Sequence, residues 1–128
     1  MELQTIFNQV CQHLVHQGKA AVVGGDNGVC RYRTKSGLRC AVGYLISDKE
    51  YHCDLENRGV ATDIVHEALT ASIGKVTVQV SKLLSDCQAA HDQQLCDFGL
   101  AVWARRMIAI ADTHSLIVPK QVRELARG

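Results

Sequence analysis

The chain has 128 residues, of which 47% are hydrophobic and 21% charged, with a formal charge of +1. This length suits one folded core and is too short for two, and the composition is that of an ordered globular chain rather than a disordered one. A charge so close to neutral gives no general attraction to nucleic acid or to an anionic membrane, so binding of either kind would need a local patch.

From the N-terminus, Leu3, Phe7, Val10 and Leu14 recur at helical spacing, with Ile6 beside them and Gly18 as a C-terminal stop. This predicts an amphipathic helix over residues 2–17. The segment lacks the basic-then-apolar layout of a secretion signal. Residues 20–23 form a short apolar run closed by the turn cluster Gly24-Gly25-Asp26-Asn27-Gly28. Residues 30–34 and 38–42 flank Lys35-Ser36-Gly37 and read as a β-hairpin, to which residues 20–23 would add a third strand. Period-two alternation puts Cys30, Tyr32, Leu38, Cys40 and Val42 on one face and Arg31, Arg33 and Arg39 on the other.

Beyond the hairpin the pattern is helical. Asp48, Lys49 and Glu50 resemble a helix start, and Thr62 can cap a helix running to about Ala71. Val76, Val80, Leu83, Leu84, Cys87 and Ala90 make one stripe over residues 76–91. Residues 95–113 are apolar around most of the circumference and predict a central buried helix, and Pro119 suits the first turn of a final short helix. The longest apolar stretch, residues 100–111, is interrupted by Arg105 and Arg106 and is too short to span a bilayer. The expected fold is a helix-rich α+β single domain with a small antiparallel hairpin or three-stranded sheet. The expected location is the cytoplasm, where the six cysteines would be free, buried thiols.

Candidate chemistry is sparse. Cys40 would be an activated nucleophile if the chain turned helical at Ala41, because helix N-terminal N–H groups stabilise a thiolate. His91 would then be its base and Asp92 the orienting carboxylate. Neighbouring residues on an α-helix diverge by roughly 100°, so Asp92 is badly placed for that role unless the helix ends there. The hairpin alternation instead turns Cys40 inward as packing. Cys87, His91 and Cys96 follow a C-x3-H-x4-C order, yet no C-x2-C knuckle accompanies them, and the expectation is no metal and no cofactor. The glycine cluster at residues 24–28 lacks the Gly-Lys-Ser/Thr of a phosphate loop and carries an acid at its centre. His13, His16, His66 and His114 are scattered without partners at a convincing spacing. Arg31, Arg33, Lys35 and Arg39 form a basic face suited to an acidic protein surface. For nucleic acid that face lacks a stacking aromatic, since Tyr32 points to the other side.

The phrase formed by Tyr32, Arg33, Gly37, Arg39, Cys40, Ala41, Val42, Gly43, Leu45, Ile46, Asp48 and Tyr51 resembles one found in small hypothetical proteins of tailed bacteriophages and prophages. The resemblance covers about half the chain, with Leu83-Leu84, His91-Asp92 and Trp103 fitting loosely, and it departs at Ser47, where such sequences often carry proline. That family has no activity to carry over. The resemblance implies a phage or mobile-element accessory protein of the bacterial cytoplasm. Its expected role is to bind and inhibit a host protein or defence complex through an acidic surface, without a membrane or nucleic acid. A homodimer through the N-terminal helix is compatible with the pattern. The alternative reading is a cysteine-dependent hydrolase or transferase built on Cys40, His91 and Asp92.

Overall fold

Apolar residues three and four positions apart organise the helices of the computed structural model, which describes residues 1–24 and 28–128. Helix α1 (Leu3–Gln17) buries Ile6, Phe7, Val10, Cys11 and Leu14 along one face. Gly18 ends it at φ 77°, a left-handed conformation that costs glycine little, and its N–H donates to the Leu14 carbonyl. Helix α3 (Asp63–Ile73) follows Thr62, whose hydroxyl donates to the Gly59 carbonyl instead of capping the helix. Helix α4 (Val78–Ala90) is capped by Thr77, whose hydroxyl oxygen accepts from the Val80 N–H, and it buries Val80, Leu83, Leu84, Cys87 and Ala90.

The predicted continuous helix over residues 95–113 is interrupted. A π turn (His91–Leu95) continues α4 into the short α5 (Cys96–Phe98), and Gly99 at φ 89° breaks the run before α6 (Leu100–Thr113). Helix α6 is also amphipathic: it buries Trp103, Ala104, Met107, Ile110 and Ala111 while Arg105 and Arg106 lie exposed. Helix α7 (Lys120–Ala126) begins just after Pro119 and buries Val122. Helices α1 and α4 pack together, α4 packs on α6, and α6 packs on α7. No helix among the described residues is long and apolar enough to cross a membrane.

The β structure is antiparallel, as the sequence predicts, but it sits earlier in the chain. Strand β1 (Val22–Val23) pairs with β2 (Val29–Cys30), Val22 opposite Cys30 and Val23 opposite Val29. The predicted turn joining them falls largely on residues 25–27, outside the described residues. The hairpin expected over residues 30–42 shrinks to one bridge between Arg33 and Arg39, with the Thr34 N–H donating to the Leu38 carbonyl. Its second strand is lost because helix α2 (Ala41–Leu45) begins where that strand would continue. The helix start predicted at Asp48 is a tight turn instead, the Glu50 and Tyr51 N–H groups both donating to the Ser47 carbonyl. A single 3-10 turn follows at Cys53–Leu55. The result is a helix-rich α+β domain, with one two-stranded sheet among the described residues.

Candidate functional site

The segment from β2 through the 3-10 turn is held by side chains bonding to backbone. Glu56 lies at its centre: Oε1 accepts from the Tyr32 N–H at 2.8 Å, and Oε2 accepts from the Arg33 N–H at 3.1 Å and the Tyr51 hydroxyl at 2.5 Å. Burial, aided by this carboxylate, pushes the Tyr51 phenol up to about 12. Arg33 spreads its guanidinium over the start of the next segment. Nε donates to the Gly43 carbonyl at 3.2 Å, one terminal nitrogen donates to Asp48 at 2.7 Å, and the other donates to the Ile46 carbonyl. The same group lies 4.7 Å from the centre of the Tyr51 ring, a cation–π contact. Tyr32 turns inward as predicted, with its hydroxyl donating to the Arg58 carbonyl.

The basic face expected from the alternation is therefore divided, with Arg33 drawn into the fold. The Arg33 side chain is only 13% exposed and is fixed by four neighbours. Arg39 shares Asp48 with it at 3.2 Å, holding that carboxyl below its ordinary range together with Arg33. Its backbone is clasped by α1, the N–H donating to Gln17 at 2.8 Å and the carbonyl accepting from Gln17 and His13 at 2.9 Å each. His13, read as unpartnered from the sequence, also stacks on Tyr44 with ring centres 4.2 Å apart, and burial lowers its pKa. His114 likewise finds Asp86 at 2.8 Å, a partner too distant in sequence to be seen by spacing.

Arg31 and Lys35 are placed differently. Both line a groove of about 690 Å³ together with Val23, Ser36, Tyr51 and Glu56. Arg31 Nε is buried with no acceptor among the described residues, and neither Arg31 nor Lys35 forms an ion pair among them. The groove thus carries two cations that form no ion pair among the described residues, beside the Tyr51 ring and the Glu56 carboxylate, whose negative charge its hydrogen bonds from neutral donors leave in place.

Cys40 is the N-cap of α2, its sulfur accepting from the Gly43 N–H at 3.2 Å. It is fully buried, and burial pushes the thiol up to about 12 even though backbone N–H groups pull the other way. Desolvation thus wins over the helix terminus. The neighbouring Val42 N–H is also satisfied, donating to Gln88 Oε1 at 3.2 Å.

His91 and Asp92 do meet, at 2.8 Å between Nδ1 and Oδ1. They meet although adjacent in sequence, at the start of a π turn that continues α4. The ring is nevertheless fully buried, and its Nε2 accepts the Ala21 N–H at 2.9 Å. That bond leaves the proton on Nδ1 and occupies the lone pair a general base would use. Among the described residues, Cys30 rather than Cys40 is grouped with His91 and Asp92, their donor atoms lying within 4.8 Å of one another. Cys87 is not part of that group; it is fully buried in the core, as is Cys11, and burial raises both thiols. Glu56, Gln88 and Cys30 had no signal in the sequence, because each acquires its role only through residues far away in the chain.

Comparison with known proteins yields no matching family model, no matching curated protein and no matching solved structure.

Proposed function

We propose that this chain is a non-catalytic binding module, of the phage accessory type its central phrase resembles, that occludes an acidic surface on a bacterial host protein. The observation that supports this reading most is the groove carrying Arg31 and Lys35, two cations that form no ion pair among the described residues and outnumber the one carboxylate lining it, Glu56, set on a scaffold that Arg33 and Glu56 hold rigid. Electrostatic steering brings the acidic partner in, and the apolar lining, Val23 and the Tyr51 ring, supplies contact area. Catalysis through Cys40 has no comparable support, since its sulfur is sealed and the lone pair of His91 Nε2 is occupied.

The test is affinity capture from bacterial lysate, followed by binding measurements on the captured partner over a salt series. Reversing Arg31 and Lys35 to Glu weakens binding by about 100-fold, as expected when like charges are juxtaposed, and flattens the salt dependence. Lys35 is exposed, so its reversal shifts stability by less than about 0.5 kcal/mol, whereas Arg31 is half-buried in the groove that Glu56 also lines and its reversal costs more, so folding of the double variant is checked by circular dichroism. A folded double variant that binds every captured partner as the parent does overturns the assignment.

A further inference from the structure

The groove takes its walls from two stretches of chain, one carrying Arg31 and Lys35 and the other Tyr51 and Glu56, with Val23 of β1 beside them. Its volume of about 690 Å³ lies in the range of pockets that enclose a small ligand or a few side chains. A flat surface laid across it would leave the hollow unfilled.

The charges that line it differ in depth and do not cancel. Arg31 is half-buried, and its Nε meets no acceptor among the described residues, whereas Lys35 is exposed. Arg33 also reaches the groove, but Asp48 meets its charge at 2.7 Å. Glu56 is the one carboxylate of the lining among the described residues, and it stays negative because the Tyr32 and Arg33 N–H groups and the Tyr51 hydroxyl that bond to it are neutral. Two cations against one carboxylate leave room for a single negative charge, and a second would meet Glu56 uncompensated. The lining also offers a neutral donor. Thr34 Oγ1 accepts the Leu38 N–H and shares one hydrogen bond with Ser36 Oγ at 2.9 Å, so one proton of this hydroxyl pair remains for an acceptor. Val23, exposed at the surface, and the Tyr51 ring form the apolar part.

We propose that the groove receives a short protruding segment of the partner that carries a single carboxylate beside an apolar side chain. The carboxylate pairs with the Arg31 guanidinium, whose planar fork matches two carboxylate oxygens, and the apolar side chain packs on Val23 and Tyr51. Lys35, being exposed, contributes mainly to steering and is screened by salt. The inference rests on the host-binding reading and narrows its acidic surface to one inserted acid. It turns the count of charges into selectivity, since Arg31 attracts the first carboxylate and Glu56 repels the next.

The test titrates the reduced, isotope-labelled chain with capped tripeptides and follows its amide chemical shifts, a readout that reaches weak binding. The probes are acetyl-Leu-Asp-Leu-amide, its Leu-Asn-Leu and Gly-Asp-Gly counterparts, and acetyl-Asp-Asp-Leu-amide. The Leu-Asp-Leu probe is expected to shift the amides around the groove, and the Leu-Asn-Leu probe to bind about 10-fold more weakly or worse, the usual weight of a hydrogen bond to a charged group. The Gly-Asp-Gly probe also binds more weakly, and the second acid of Asp-Asp-Leu brings no gain. Arg31→Gln lowers affinity for Leu-Asp-Leu about 10-fold, and Lys35→Gln lowers it about 2- to 5-fold, an effect that salt removes. Circular dichroism confirms that both variants are folded. Equal binding of the Asp and Asn probes overturns the proposal, as does tighter binding of Asp-Asp-Leu or a folded Arg31→Gln variant that binds as the parent does. If no probe binds while host capture still depends on Arg31 and Lys35, the inserted acid is overturned and the host-binding reading stands. If the probes bind as expected and no host protein is captured, the groove chemistry is upheld and the host-binding reading fails.

Discussion

The segment from Cys30 to Arg58 and the helical remainder of the chain are stabilised in different ways. The first contains a five-residue helix, one isolated bridge and tight turns, and its long-range order rests on side chains bonding to backbone: Glu56 to two N–H groups, Arg33 to two carbonyls, Tyr32 to the Arg58 carbonyl. The second is built from apolar stripes, with Leu83, Leu84, Cys87, Trp103, Met107 and Val122 all fully buried. Short elements leave many backbone groups without regular partners, and buried ones must be satisfied by side chains. Long helices satisfy their own backbone, so burial of apolar area can do the rest. The distinctive phrase of the sequence is therefore explained in large part as a fold-holding network, bordering a groove that Arg31 and Lys35 line.

The sharpest way to break this contrast is at Gly43. A Cβ there would sit 1.9 Å from the Tyr32 carbonyl oxygen and 2.6 Å from its carbon, a collision with backbone that no rotamer relieves. Gly43→Ala is expected to cost more than about 4 kcal/mol or to prevent folding, measured by urea denaturation. An ordinary, small effect would show that the strand-to-helix contact is not tight. Next in size, Leu84→Ala removes a fully buried side chain from the α4 stripe and should cost about 3 kcal/mol, within the range for core cavities. Smaller again is Arg33→Met, which keeps much of the packing over Tyr51 but strips the Gly43 and Ile46 carbonyls of their donor. A loss of about 2 kcal/mol is expected for hydrogen bonds from a charged group. Hydrogen exchange should then rise first in residues 41–51, whereas Leu84→Ala loosens α1, α4 and α6 together; the reverse pattern would erase the distinction.

The parts of the fold that were legible follow from this division. Leu3 to Leu14 and Val80 to Ala90 announce their helices because one face meets one core, and periodicity alone records that. The hairpin over residues 30–42 was misjudged because Leu38, Cys40 and Val42 alternate as a strand would, while the chain turns helical at Ala41 and gives Cys40 the cap position. The inward side of Tyr32 and Cys40 was read correctly, since burial of these side chains does not depend on whether a strand or a helix delivers them. The alternation places Arg33 opposite Tyr32, yet this long cation folds back onto the Gly43 and Ile46 carbonyls, which are invisible in a linear pattern.

The sequence by itself determined the class of fold, the main helices and the burial of Cys11, Cys40 and Cys87, because hydrophobic periodicity is a local property that folding only makes visible. Of the six thiols expected to be buried, Cys53 is exposed and Cys30 and Cys96 are half-buried, since they lie outside the apolar stripes. Tertiary structure alone decided that Arg33 is a brace while Arg31 forms no ion pair among the described residues. It also decided that His91 bonds to Asp92 at the start of a π turn, and that Cys30 joins them. Those outcomes depend on hydrogen-bond partners separated by tens of residues, where direction and distance in space, rather than spacing along the chain, set the chemistry.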